Sequence, residues 1–288
     1  MQQRIAEIAM TTFITDKDFN EIKDIMYQQT GVFLKPSKKN LVIARLRTRL
    51  RELDCPNFKS YLEFFKKKDA AELEILINAI TTNETFFFRH PKQFNFLSDY
   101  VLPEIIEKKK ILPRREIRVW SAACSTGEEP YSLAVACEEF FKKHPAYQYT
   151  VFASDINSAV LAEAQKGMFP ERSFRETPSG IQQRYFKRVE IIDGRRRKEM
   201  MKFTSDIKDN IVFIQNNLLH PFPFKNIDIV FLRNALIYFN EESKQKVINN
   251  IENVIVPKGY LFLGLSETLF DVKSTFEILQ TGTYLKQD

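Results

Sequence analysis

Cysteine, histidine, glycine and tryptophan are scarce in this chain of 288 residues. The three cysteines, Cys55, Cys124 and Cys137, make no C-x-x-C and no pairing pattern, and the three histidines, His90, His144 and His220, stand far apart. Neither a disulfide framework nor a structural metal site is therefore expected, and the free thiols fit a reducing, cytoplasmic setting. No run approaches the ~18 consecutive apolar residues of a membrane-spanning helix, and the N-terminal stretch has no signal-peptide apolar core. The phosphate-cradling patterns G-x-G-x-x-G and G-x-x-x-x-G-K-S/T are both missing, which argues against a dinucleotide or a nucleoside triphosphate as ligand. Internal repeats and low-complexity tracts are missing too.

What the chain does have is a large apolar fraction, 44%, in which 26 phenylalanines stand against one tryptophan; a Phe-rich core is expected. Its length suits one large or two modest domains. The formal net charge of +6 favours an acidic partner, whether nucleic acid, a membrane surface or an acidic protein.

Residues 117–141, IRVWSAACSTGEEPYSLAVACEEFF, organise the rest. Residues 117–122 read as a short buried strand and 123–128 as a tight turn of small residues. From about Glu128 the apolar positions Leu133, Ala134, Cys137, Phe140 and Phe141 fall on one helical stripe. Strand, small-residue turn and helix make the nucleotide-binding corner of doubly wound α/β sheets, where backbone N–H groups meet the ligand. Pro130 has no N–H and so belongs to the first helical turn. A capping box from Thr126 to Glu129 would put Pro130 where the first helical bond wants a donor. A helix start at Gly127 or Glu128 is preferred, and it leaves the Glu129 carboxylate free for a ligand. An acid there repels phosphate and suits a nucleoside carrying positive charge, of which S-adenosylmethionine is the common example.

Residues 1–80 are expected to be wholly helical. Within them KKNLVIARLRTRLREL carries the stripe Val42, Ile43, Leu46, Leu50 and Leu53, flanked by the i,i+4 pairs Arg45/Arg49 and Arg47/Arg51. Like charges four apart weaken a helix, so the two rows point either to a solvated basic face or to a docking surface for an acidic partner. The joint TTNETFFFRHP, residues 81–91, leads to an amphipathic helix over 94–109. Residues 149–157 form a second buried strand ending in Asp155, placed to accept both ribose hydroxyls of an adenosine or to cap the helix that follows; the two roles can coexist. Residues 167–210 break the βαβ rhythm. VEIIDGRRRKEM alternates around Asp193-Gly194, a hairpin signal, so a small β insertion is expected at about 187–206, with the basic run 195–198 on an edge strand. A third strand closes with Asn217 and Leu218, an amide for an adenine edge and an apolar side chain for its face. A fourth runs into Arg233, Asn234 and Tyr238. A helix over 241–256, a strand over 259–267 and a terminal hairpin complete the chain. Polar functional groups thus follow four successive strands at their carboxyl ends, the edge at which open α/β sheets bind ligands.

The blocks TTNETFFFR, WSAACSTGEEPYS, FASDIN, NNLL, RNALIYF and GLSETL, in this order and at these separations, resemble the CheR family of chemoreceptor glutamate methyltransferases over nearly the whole chain. The resemblance implies an α/β, doubly wound (Rossmann-like) S-adenosylmethionine-dependent methyltransferase domain over residues 86–288, with a small antiparallel β insertion. It also implies an all-helical, substrate-docking N-terminal domain over 1–85. The donor it implies is S-adenosylmethionine, with S-adenosylhomocysteine as product. The acceptor is a glutamate side chain in the cytoplasmic domain of methyl-accepting chemoreceptors. The family's cofactor contacts carry over to Asn83, Thr85, Arg89, Glu129, Asp155, Asn217, Leu218, Arg233 and Asn234. Leu232 stands where the family often has Cys, and Leu265 where it often has His; neither enters the chemistry. The hairpin at Asp193-Gly194 lacks the Gly-rich insertion of members that grip a receptor's tethering peptide, which points to a tether-independent enzyme.

A glutamate side chain has an unperturbed pKa of about 4.3. Already anionic at neutral pH, it can attack a sulfonium methyl in line without a general base. Arg89 and Tyr238 are the candidates for orienting it, with a cofactor-carboxylate role open for Arg89 and a core role open for Tyr238. Arg45, Arg47, Arg49 and Arg51 become the candidates for docking an acidic receptor bundle. A monomer is expected, with no metal, no nucleic acid and no membrane insertion. A nucleic-acid methyltransferase is disfavoured because no D/N-P-P-Y/F segment follows the fourth strand and no Pro-Cys nucleophile is present. The other alternative is a regulatory or scaffold module that binds S-adenosylmethionine in a chemosensory-like pathway without methylating receptors.

Overall fold

Residues 13–68, 70–111, 115–193 and 196–288 are described by the computed structural model. Gly194 and Arg195, at the expected hairpin turn, lie outside the described residues, as do Pro113 and the first twelve residues of the expected helical domain. The described chain forms two compact units, one of residues 13–82 with Tyr238–Ser243, the other of Asn83–Ile237 with Lys244–Asp288.

In the first unit four helices pack through amphipathic stripes: α1 (Asp16–Thr30), α2 (Lys39–Glu52), α3 (Phe58–Lys68) and α4 (Ala70–Ile80). A capping box between Thr15 and Asp18 opens α1, and Gly31, at φ 74°, closes it in the left-handed conformation. Along α2 the expected stripe is fully buried at Val42, Leu46 and Leu50. The arginines beside it divide. Arg49 turns inward to α4, where its Nε and Nη2 donate to Oε1 (3.0 Å) and Oε2 (2.5 Å) of the buried Glu72. An ionised acid in a helical core requires a fixed cation, so Arg49 is spent on this pair rather than left to face a partner. Arg45 and Arg51 are exposed and Arg47 is half-buried.

In the second unit α5 (Pro91–Phe96) and α6 (Leu102–Lys109) are one helical run interrupted by a π turn at Leu97–Val101. Pro103 supplies the reason. It has no N–H for the carbonyl four residues back, and the Leu102 N–H instead reaches five residues back to Leu97. The chain then runs through β1 (Glu116–Ala122), α7 (Glu128–Phe141), β2 (Gln148–Asp155) and α8 (Ser158–Lys166). Next comes the small antiparallel sheet of β3 (Met168–Phe169), β4 (Phe186–Asp193) and β5 (Arg196–Phe203), ordered β3-β5-β4, with α9 (Ser179–Tyr185) before β4. β6 (Ile211–Gln215), β7 (Ile227–Leu232), α10 (Glu241–Glu252), β8 (Ile255–Leu263) and the hairpin of β9 (Phe276–Gln280) and β10 (Thr283–Lys286) follow.

The main sheet has the order β6-β2-β1-β7-β8-β10-β9. Pairs from β6 to β8 are parallel, and β10 runs antiparallel to both its neighbours. β7 is buried along its whole length and β1 along most of it, as parallel strands covered on both faces must be. Chain order reverses between β1 and β7, which opens a crevice at their carboxyl ends. β8 begins at Ile255 rather than Gly259, because a register shift against β7 and a left-handed Lys258 (φ 58°) absorb Pro257 within the strand. It ends at Leu263, so residues 264–267 form a turn, with the Glu267 N–H on the Gly264 carbonyl at 2.9 Å.

The abundant phenylalanine has a local purpose. Phe169, Phe174 and Phe186 from the insertion and its flanks surround Phe87 at 4.7, 4.7 and 4.9 Å between ring centroids. The Phe87 N–H also donates to the Ser173 carbonyl at 2.9 Å. The insertion thereby anchors residues 83–89 to the α/β unit. No helix among the described residues is long and apolar enough to cross a membrane.

Arg49→Ala should lower the stability of the helical unit by about 3 kcal/mol, because it strands Glu72 without a cation, whereas Arg45→Ala, at an exposed site, should stay within ~0.5 kcal/mol of wild type. Thermal midpoints compare the two. Equal midpoints would remove the buried pair from the account of this unit.

Candidate active site

Helix α7 starts at Glu128 with Gly127 as its N-cap, within the range the sequence allows. Gly127 has φ 98°, and a Cβ there would lie 2.8 Å from the Ala164 Cβ, so this corner requires glycine for conformation and for space. Ala123 (φ 63°) and Ser125 (φ 52°) in the same turn are left-handed as well, as are Phe88 and His90 in the joint and Asn234 after β7. Such residues are strained by roughly 1–3 kcal/mol each and gather where a ligand is gripped. Hydrogen bonds hold the turn: Ser125 N–H to Asp155 Oδ2 at 2.8 Å, Cys124 N–H to the Ser154 carbonyl at 2.9 Å, and Ser125 Oγ to the Asn83 carbonyl at 2.8 Å. Thr126 makes no capping box; its hydroxyl donates to Glu128 Oε2 at 2.6 Å, while Glu128 Oε1 accepts from Ser173 Oγ at 2.8 Å.

Glu129 is not free, contrary to the expectation from the helix register. Its Oε1 accepts from Ser121 Oγ at 2.7 Å and its Oε2 from Arg233 Nε at 2.6 Å, both members of the ion pair being 7% exposed. A carboxylate at the floor of the sheet crevice has no water to solvate it, so it pairs with the arginine delivered by β7. Arg233 Nη1 donates to the Arg89 carbonyl and to Gln93 Oε1 (3.2 Å), and the guanidinium lies 5.4 Å from the ring centres of Phe94 and Phe231. Gln93 Nε2 in turn donates to the Leu263 carbonyl at 2.8 Å.

Asp155 is 7% exposed, and its oxygens accept from the Asn157 and Ser125 N–H groups at 2.9 and 2.8 Å. It does not cap α8; Asn157 does, through Oδ1 to the Val160 N–H at 3.0 Å. Burial pushes the carboxyl pKa values of Asp155 and Glu128 up, against the pull of their hydrogen bonds. Asn217 Oδ1 accepts from the Leu219 N–H at 3.0 Å, and Leu218 is buried. Thr85 is half-buried. So is Arg89, which donates Nη1 to the Glu84 carbonyl at 3.2 Å and has no carboxylate within ion-pair distance among the described residues. Burial first, and then the positive charge of Arg233, lower its pKa.

Asn83, Arg89, Glu129, Asp155, Arg233 and Asn234 thus converge on the carboxyl ends of β1, β2 and β7. Tyr238 belongs to the other unit, where its carbonyl accepts from the Phe33 N–H at 2.8 Å, and Arg45, Arg47, Arg49 and Arg51 lie there too. Sequence reasoning missed Gln93, Ser121, Ser125 and Glu267. Ser121 had a signal, a polar residue near the end of an apolar buried strand; Gln93 and Glu267 had none beyond lying in or next to the quoted blocks.

Asp155, Glu128 and Glu267 are buried acids held by N–H and O–H donors, with no lysine or arginine within ion-pair distance among the described residues. A cationic ligand would relieve that charge. Asn234 Oδ1 and Asn216 Nδ2 are buried without hydrogen-bond partners, an acceptor and a donor that a polar ligand would satisfy. The residues present therefore fit S-adenosylmethionine, with its sulfonium, its ammonium, its ribose hydroxyls and its adenine edge. A doubly wound sheet of this order, closed by an antiparallel hairpin and carrying an acid after its second strand, defines an S-adenosylmethionine-dependent methyltransferase.

The family model of the CheR methyltransferase S-adenosylmethionine-binding domain matches residues 83–285, and that of the CheR methyltransferase all-alpha domain matches residues 17–81. Chemotaxis protein methyltransferase 2 of Vibrio cholerae is 34% identical over 279 residues, 94% of this chain and 93% of that protein. The chemotaxis protein methyltransferase of Borreliella burgdorferi is 34% identical over 277 residues, 95% of each chain, and that of Escherichia coli 32% identical over 277 residues, 94% of this chain and 91% of that protein. The chain belongs to the CheR methyltransferase family.

Arg233→Met should destabilise the α/β unit by about 3–5 kcal/mol, because it leaves Glu129 charged and buried. Adding Glu129→Met should recover most of that loss, which a double-mutant cycle on thermal unfolding reads directly. A single variant as stable as wild type would sink the pair.

Proposed function

We propose that this enzyme transfers the methyl group of S-adenosylmethionine to glutamate side chains in the cytoplasmic domain of methyl-accepting chemoreceptors, forming methyl esters. The observation that carries the reading is the joint presence, at one sheet edge, of buried acids with no lysine or arginine, and of Arg89, a half-buried arginine with no carboxylate, within ion-pair distance among the described residues. The first suits a cationic donor and the second an anionic acceptor. Relatives named chemotaxis protein methyltransferases support the choice of acceptor.

When bound, S-adenosylmethionine supplies an electrophilic methyl on sulfur. Asp155 accepts hydrogen bonds from the ribose hydroxyls, Asn217 pairs with the adenine edge and Leu218 covers its face. Asn83, Thr85, Arg89, Glu129, Arg233 and Asn234 complete the cofactor contacts, Glu129 and Arg233 acting as one unit. Arg89 and Tyr238 orient the acceptor carboxylate, and Arg89 holds it loosely, since a fully paired carboxylate is a weak nucleophile. With an acceptor pKa of about 4.3 no residue has to act as a general base, and the protein contributes orientation and exclusion of water. The helical domain docks the acidic receptor bundle through Arg45, Arg47 and Arg51, while Arg49 keeps α2 in place. The enzyme acts as a cytoplasmic monomer, without nucleic acid.

Incubation with donor labelled in the methyl group and with receptor-containing membranes, followed by mild alkali, should release labelled methanol. Alkali-stable label, or no label at all, would reject the ester reading. The raised pKa of Asp155 has a sign that can be checked. Above the ordinary value of 3.8 the folded chain still holds this proton where the unfolded chain has released it, so its contribution lowers stability as pH rises through that window. Ribose binding needs the ionised form, so calorimetric affinity for S-adenosylhomocysteine should fall as pH drops through the same window. Asp155→Asn should bind about 10–100-fold more weakly at pH 7, with a flatter pH profile; identical profiles would assign the dependence to another group.

A further inference from the structure

Glu267 makes none of the donor or acceptor contacts assigned above, yet its carboxylate is held from two chain segments at the carboxyl edge. It is 5% exposed, and it accepts from three backbone N–H groups: Asn234 and Gly264 on Oε2, both at 2.7 Å, and Ile237 on Oε1 at 3.3 Å. Those amides come from two separate segments, the one that leaves β7 and the turn after β8. Asn234 sits at φ 59°, a conformation that needs such restraint. A Cβ on Gly264 would lie 2.7 Å from Glu267 Oε2, 2.9 Å from Asn234 Nδ2 and 3.1 Å from Asn234 N, so the bare glycine lets carboxylate and asparagine close on the turn. The same Asn234 carries a buried side-chain oxygen with no partner.

We infer that Glu267 is a positioning residue for methyl transfer: by clasping the Asn234, Ile237 and Gly264 amides it fixes Asn234 with its unmatched amide oxygen already set for the donor. The inference rests on the reading that Asn234 contacts the donor. An anion held by three backbone N–H groups is fixed in place, whereas an amide at this position would set its own N–H against one of those donors.

Glu267→Gln in the full chain should weaken S-adenosylhomocysteine binding about tenfold by calorimetry. It should raise the KM for donor by a similar factor and leave the KM for receptor unchanged. In an Asn234→Ala background the further loss should vanish, because the carboxylate acts through that side chain. Gly264→Ala, which presses on the clasp without altering its charge, should reproduce the donor effect and serves if Glu267→Gln does not fold. Wild-type affinity in Glu267→Gln, or additive losses with Asn234→Ala, would overturn the positioning role. Unchanged affinity in Asn234→Ala alone would instead overturn the donor contact, and with it this inference.

Discussion

The buried pair of Glu129 and Arg233 is the constraint on which the rest of the α/β unit depends. Removing two such ions from water costs several kcal/mol each, and a direct contact alone does not offset it. Here the surroundings do: Ser121 completes the carboxylate, the Arg89 carbonyl and Gln93 take guanidinium N–H groups, and Phe94 and Phe231 lie against the cation. The pair joins the start of α7 to the end of β7 across the point where the sheet reverses its order. It therefore ties together the two chain segments that border the crevice.

Once Glu129 is neutralised in this way, the crevice keeps its negative character through other acids. Asp155, Glu128 and Glu267 are held by backbone and hydroxyl donors instead of cations. Each is thus held in place, and none has a lysine or arginine within ion-pair distance among the described residues. Arginine shows the converse division. Arg233 and Arg49 are consumed by buried acids, whereas Arg89 donates to the Glu84 carbonyl and has no carboxylate within ion-pair distance among the described residues. Residue type alone does not separate structural cations from available ones; the presence of a buried carboxylate does.

The small antiparallel sheet serves the same edge from outside. Its phenylalanines enclose Phe87, and Phe87 fixes the joint whose Asn83 carbonyl receives Ser125 Oγ. The left-handed residues at Phe88, His90, Ala123, Ser125 and Asn234 are tolerated because these contacts over-determine their backbone. Strain, aromatic packing and buried charge meet on one side of the sheet.

Much of this was legible in the residues themselves. Periodicity places the helical stripe at Val42, Leu46 and Leu50, the strands at 117–122 and 149–155, and the helix start beside Gly127, because burial of one face and the missing N–H of Pro130 are local matters. Polar residues at strand ends mark the carboxyl edge on which Glu129, Asp155 and Arg233 lie, since side chains there have no sheet neighbour to satisfy them. Tertiary structure alone decided who pairs with whom. Glu129 and Arg233 lie more than a hundred residues apart, as do Gln93 and the Leu263 carbonyl, and no local pattern encodes such a contact. The inward turn of Arg49, the bulge that starts β8 at Ile255 and the clasp of Glu267 have the same origin: a buried charge or an unpaired amide takes whichever partner the fold brings within reach, and chain order does not say which that will be.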